Sequence, residues 1–152
     1  MASQLHNPKG FYPADEHNAP IKKLPIAASQ TLARGDAVIL SSNQVAIALA
    51  NSAEIAGVVA EACSGLAAAT EVKVWADPHT EFIGRASGAN AVGVGAPCDI
   101  EGATGVMELN ENATSTNVVL ITGNVDGDEV ATAVGKRYKF KWRLHAFADV
   151  SS

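Results

Sequence analysis

Between residues 32 and 63 turn-forming residues recur so often that no stable helix fits: LARGDAVILSSNQVAIALANSAEIAGVVAEAC. Gly35 and Asp36 offer a turn, residues 37–40 run apolar, and residues 41–43 (Ser-Ser-Asn) offer a second turn. Val45, Ile47 and Leu49 then alternate with Ala46 and Ala48, which gives one strand a larger face and a smaller one. After Asn51 and Ser52, residues 55–60 form a third run, in which Gly57 predicts a bulge or a close backbone approach. The expectation is a tight antiparallel meander, hence an all-β chain with little helix.

Bulk properties narrow the class. A chain of 152 residues fits one domain that can bury a core without disulfides or metal. Hydrophobic residues make up 47 % but aromatics only 5 %, so the expected core is thin and built from small side chains. Marginal cores favour help from oligomerisation. A net charge of -5 argues against general nucleic-acid affinity, which depends on Lys and Arg contacts to phosphate. Cys63 and Cys98 lack metal or redox spacing and read as free thiols. The start of the chain has neither the basic nor the apolar region of a secretory signal, and no apolar run approaches the length of a membrane span.

Residues 1–20 form a segment of different character, an extended arm before a single β-rich domain at 21–152. Pro8, Pro13 and Pro20 exclude a regular helix, and apart from Leu5, Phe11 and Tyr12 little in it is apolar. Twenty extended residues reach roughly 66 Å at about 3.3 Å each, enough to lie across a neighbour with Phe11 and Tyr12 as anchor. Residues 21–26 read as a first strand that Pro25 places at an edge or bend. Residues 71–76 put Val72, Val74 and Ala76 on one face and Glu71, Lys73 and Trp75 on the other. Residues 77–80 (Asp-Pro-His-Thr) form a turn, and residues 81–86 return as a strand. Residues 87–97 are rich in Gly and Ala and suit a flexible link, followed by β-type runs at 98–101, 106–109, 117–125 and 137–147.

The last run has the sharpest chemical asymmetry. Tyr138, Phe140, Trp142, Leu144 and Ala146 share one face; Arg137, Lys139, Lys141, Arg143 and His145 share the other. Four of the eleven Lys and Arg residues thus lie on one ribbon of an otherwise acidic chain, able to neutralise an acidic partner and, on an outer strand, to deter stray edge pairing.

Catalytic and ligand motifs are weak. His6, His17, His79 and His145 are scattered, and no strained G-x-S-x-G turn supports a nucleophile. Asp77, His79 and Glu81 could serve a metal but fit an ordinary turn, residues 126–129 (Asp-Gly-Asp-Glu) are a fragment of a calcium loop, and Gly93 and Gly95 lack a third glycine for a dinucleotide. The Arg34-Gly35-Asp36 triplet is better explained as the turn entering a strand, and the sequon at Asn112 has no secretory context. No enzyme activity, cofactor or metal is expected.

The order Gly-Asp-x-Val, turn, Val-Ala-x-Ala, then Ile-x-Gly-Val-Val, within residues 25–86, resembles the small β-barrel proteins that decorate or cement the capsids of tailed bacteriophages. The resemblance implies a small antiparallel β-barrel or β-sandwich that forms a homotrimer, sits on the outer capsid surface of the virion after assembly in the host cytoplasm, and bridges neighbouring major capsid proteins. Phe11 and Tyr12 are the first candidates for partner contact, Lys139, Lys141 and Arg143 the second, and Trp75 a third for subunit packing. The alternatives are another phage structural component, such as a head-fibre base or tail protein, and a ligand-binding or carbohydrate-binding β-barrel module, against which the low aromatic content counts.

Overall fold

The computed structural model describes residues 10–49, 52, 54–87, 93–102, 104–105, 107–110, 114, 116–125 and 137–147. Their strands are β1 (Tyr12–Pro13), β2 (Lys22–Pro25), β3 (Thr31–Leu32), β4 (Ala37–Ser41), β5 (Gln44–Ile47), β6 (Gly57–Val59), β7 (Cys63–Ser64), β8 (Glu71–Trp75), β9 (Phe82–Arg85), β10 (Pro97–Glu101), β11 (Glu108–Asn110), β12 (Val119–Asn124) and β13 (Arg137–Trp142). The one helical element among the described residues is a three-residue 3-10 turn, Glu16–Asn18. The protein is all-β, as the turn-punctuated sequence requires.

Two antiparallel sheets carry the structure, in the orders β2-β8-β6-β4-β5 and β1-β9-β13-β12-β10-β11, with β3 and β7 as a separate pair. Each sheet curls until its ends approach. In the five-stranded sheet a bridge joins Ile26 to Val45, and Ala27 N–H donates to the Val45 carbonyl at 2.9 Å. In the six-stranded sheet Ala86 bridges to Leu109, and Gly10 N–H donates to the Met107 carbonyl at 2.7 Å. Curling of this kind removes exposed strand edges.

Period-two alternation sorts side chains into two interiors. Val72 and Val74 of β8 join Ile26, Leu32, Val38, Val45 and Val59 in a cluster of aliphatic side chains inside the five-stranded sheet. Trp75, on the opposite face of β8, joins a larger cluster with Ala37 and Val58 and with the inner face of the six-stranded sheet, including Phe82, Ile100, Ile121, Tyr138, Phe140 and Trp142. The expected thin core is therefore half right. The few aromatics are concentrated in one interior, where Phe11, Phe82, Phe140 and Trp142 pack with ring centroids 5.0 to 6.1 Å apart.

Three expectations are corrected. Residues 37–59 do not form a simple meander, because β6 pairs with β4 on the side away from β5. The far edge of β5 is met by Ile26, and Gly57 lets the chain pass close to β8: a Cβ there would lie 2.5 Å from the Trp75 carbonyl oxygen. The hairpin between β4 and β5 is as read, with Ser42 and Asn43 both at positive φ (52° and 66°), the geometry of a two-residue loop matched to strand twist.

The second correction concerns the arm. Residues 10–20 belong to the compact unit: Phe11 N–H donates to the Gly35 carbonyl, β1 pairs with β9, and Ala14 N–H donates to the Glu81 carbonyl. Phe11 is 1 % exposed because Gly84 leaves room for its ring; a Cβ on Gly84 would stand 2.7 Å from Phe11 Cδ1. The third concerns the last run, where strand geometry ends at Trp142. Beyond it, Leu144 is exposed and His145 buried, because His145 bridges to Ile55 and the alternation breaks. Nor is β13 an outer strand; it lies between β9 and β12. Residues 1–9, residues 88–92 of the expected link, Val106, Asn112 and residues 126–129 lie outside the described residues.

Candidate interaction surface

The first-choice contact residues turn out to be internal. Phe11 is in the aromatic core, and Tyr12, on the other side of β1, is also buried. Trp75 is 2 % exposed: its inner face packs in the larger core, and the Arg34 guanidinium lies 5.0 Å from its ring centroid. Arg34 also pairs with Glu16 of the 3-10 turn, so the segment after β1 is tied across this site. None of these three side chains offers the exposed area that a contact hot spot needs.

Lys139 and Lys141 are different. Burial of Tyr138, Phe140 and Trp142 turns Arg137, Lys139 and Lys141 to the outer face of the six-stranded sheet, where they are half-buried, and Arg143 follows as an exposed residue. The pairing of β13 with β9 sets Arg85 directly opposite Arg137 and Ile83 opposite Lys139. On the other side, Leu120 lies opposite Lys141 and Gly123 opposite Lys139, beside a bulge between Ile121 and Gly123. The Lys139 stem crosses Gly123, its Cδ 3.8 Å from where a Cβ would stand. The outer face of β9 and β13 thus carries Arg85, Arg137, Lys139 and Lys141, with the aliphatic side chains of Ile83 and Leu120 among them, and Arg143 follows at the end of the strand.

Arg85 is the residue that sequence reading missed. It sits in a strand that was expected, on the parity that faces outward, but only the non-local pairing of β9 with β13 brings it to the basic row. Like charges directly across an antiparallel pair repel. Among the described residues no ion pair is made by Arg85, Lys139, Lys141 or Arg143, and Arg143 donates from Nη1 to the Asn117 carbonyl at 3.3 Å. On the five-stranded sheet, by contrast, Lys73 lies 3.9 Å from Glu61. Carboxylates share the basic face: the register that sets Phe82 opposite Phe140 puts Glu81 opposite Lys141, where it accepts from the Thr122 hydroxyl, and the bridge between Ala86 and Leu109 brings Glu108 alongside Arg85.

The remaining chemical candidates separate into structural tasks. Asp77 Oδ1 accepts from His79 N–H at 2.8 Å, an ordinary turn contact. Among the described residues no group of three or more His, Cys, Asp or Glu is placed to hold a metal ion. Asp36, from the Arg-Gly-Asp triplet, is fully buried; its two oxygens accept from Ala33 N–H and Gly105 N–H at 2.9 and 2.8 Å, tying two turns together. Burial pushes its pKa up against the pull of those two donors. His145 is buried with Nδ1 accepting from Phe147 N–H at 3.0 Å and no partner at Nε2 among the described residues. Burial lowers its pKa to about 4, Asp77 opposing and His79 adding to the shift.

Among the described residues surface hollows of about 270, 300 and 500 Å³ occur, and Trp75 is the one aromatic residue lining these three. Neither Cys63 nor Cys98 is in a disulfide. No helix among the described residues is long and apolar enough to cross a membrane. In comparison with known proteins, the sequence matches no family model and no curated protein.

Proposed function

We propose that this chain is a structural protein of a phage virion that binds the outer capsid surface as a homotrimer and stabilises the shell by bridging neighbouring major capsid proteins. The observation that carries the reading is that the stretch bearing the resemblance, residues 25–86, contains most of one curled five-stranded sheet with an interior of its own. Its small aliphatic interior and tight hairpin suit a scaffold that presents surfaces, and the one aromatic ring at a hollow among the described residues, Trp75, is 2 % exposed and covered by Arg34, where a carbohydrate site would present an open ring.

The mechanism is additive. A stable contact between proteins buries about 1,000 Å² or more, and a trimer engaging three equivalent positions gains effective concentration at each further contact. The test is the mass in solution by sedimentation, followed by imaging of phage particles with and without the protein. A trimer that adds density to the outer shell is expected. A monomer that fails to co-sediment with shells removes the reading.

A further inference from the structure

The two sheets share one plan. Numbered along the chain, β2, β4, β5, β6 and β8 lie side by side in the order first, fifth, fourth, second, third, and β9, β10, β11, β12 and β13 lie in that same order once β1 is set aside. Each curl is closed alike: the residue after the first strand makes a parallel bridge to the third, Ile26 to Val45 and Ala86 to Leu109, and the next N–H donates to the same carbonyl, Ala27 to Val45 and Ser87 to Leu109, both at 2.9 Å. The registers also agree. Lys23 faces Lys73 as Ile83 faces Lys139, and Val59 faces Val74 as Ile121 faces Phe140. Ala37 faces Val58 as Pro97 faces Leu120, and Leu40 faces Val45 as Ile100 faces Leu109. The turn into the second strand repeats as well: Gly35 and Gly95, at φ 100° and 92°, donate to the Val59 and Ile121 carbonyls, whose own N–H groups donate back to the Asp36 and Ala96 carbonyls. Short connections restrict strand order. They do not dictate four matching registers, a parallel closure and a shared turn.

We infer that the chain is an internal duplication, in which residues 22–76 and 82–142 are two copies of one closed five-stranded module. Inward positions stay apolar in both: Val38, Val59 and Val74 align with Cys98, Ile121 and Phe140, all buried. Cores keep a fold while their side chains change, provided the pattern is retained. Among the aligned strand and turn positions the same residue occurs at Gly35 and Gly95 and at Lys73 and Lys139, too few for the sequence to look repeated. The alignment also accounts for Phe11. Gly84 takes the place of Leu24, whose side chain packs on the interior of the first module; in the second, Phe11 enters from outside the module and fills the space that Gly84 leaves. On the capsid reading a homotrimer of such chains carries two sets of three modules, but the duplication does not depend on that reading.

The test is nuclear magnetic resonance on the isotopically labelled full chain, without shells. Cross-strand proton contacts are expected for both closures, Ile26 with Val45 and Ala86 with Leu109, and amide exchange slowed at least about a hundredfold at both members of each pair, Gly35 with Gly95, Val59 with Ile121 and Ala27 with Ser87. A different register in one module, a missing closure, or protection of one member of a pair while the other exchanges freely overturns the inference. The alignment of Gly84 with Leu24 is tested by building the first module's arrangement into the second. Gly84→Leu combined with Phe11→Ala is expected to lower the unfolding equilibrium constant at least about fivefold relative to Phe11→Ala alone. If Phe11→Ala alone does not fold, recovery of a folded double variant is the expected result. No gain from Gly84→Leu in that background overturns the alignment. Shell attachment enters neither measurement, so failure here is distinguishable from failure of the capsid reading.

Discussion

Burial of His145 gives the fold a built-in sensitivity to acid. Its folded-state pKa of about 4 lies below the ordinary 6.5, so between those values the unfolded chain binds more protons and stability falls as pH falls. Between pH 7 and pH 5 the loss is about 2 kcal/mol by linkage. His145→Gln, which keeps an acceptor near Phe147 N–H but cannot titrate, is expected to flatten this part of the profile. Urea midpoints at the two pH values measure it, and an undiminished acid loss in the variant sinks the assignment. Asp36 slopes the other way, since a raised carboxyl pKa favours the folded state as pH drops through it. Its larger role is as an acceptor: Asp36→Ala leaves Ala33 N–H and Gly105 N–H unpaired and is expected to cost about 3 kcal/mol, with Asp36→Asn retaining part of that by chemical denaturation. The turn at Gly35-Asp36 was legible from residue type alone. Burial of its carboxylate was not, because Gly105, the second donor, comes from 69 positions away.

At the scale of elements, the two-residue strand β1 shows how little sequence signal a decisive segment can carry. Pro-rich surroundings gave residues 10–20 the look of a loose arm, but the socket for Phe11 is made elsewhere, by the missing side chain of Gly84 and by Phe140 and Trp142. A complete deletion of residues 1–20 would therefore remove a core residue along with any tail, and would not report on attachment alone. Phe11→Ala is expected to cost about 3 to 5 kcal/mol. Gly84→Ala places a methyl group against the Phe11 ring, and combining it with Phe11→Leu is expected to be less harmful than the sum of the two changes, with a coupling of about 1 kcal/mol or more in a double-mutant cycle. Strict additivity would mean that the two residues do not meet. The hairpin at Ser42-Asn43 and the two faces of β8 were readable because both are local; the pairing of β6 with β4 was not, since it depends on which edge Ile26 already occupies.

Across the whole molecule, the cations of β9 and β13 gather on the outer face of the six-stranded sheet. The basic row on β13 could be read from alternation as far as Trp142, whereas its extension to Arg85 and its place in mid-sheet require the tertiary pairing of distant strands. A basic row that stabilised the fold would lose stability when one member is reversed. The row described here predicts the opposite. Lys139→Glu puts a carboxylate between the side chains of Arg137 and Lys141 on the same strand face, diagonal to Arg85 on one side and to Glu81 on the other, so attraction to three cations outweighs repulsion from one carboxylate, and the change is expected to leave the fold unchanged or stabilise it by up to about 0.5 kcal/mol. The gain should shrink as salt rises and the Debye length falls. Thermal unfolding at low and high salt measures both effects. A loss of more than about 1 kcal/mol at low salt would show that Lys139 supports the sheet, and that the basic face belongs to the fold's own stability.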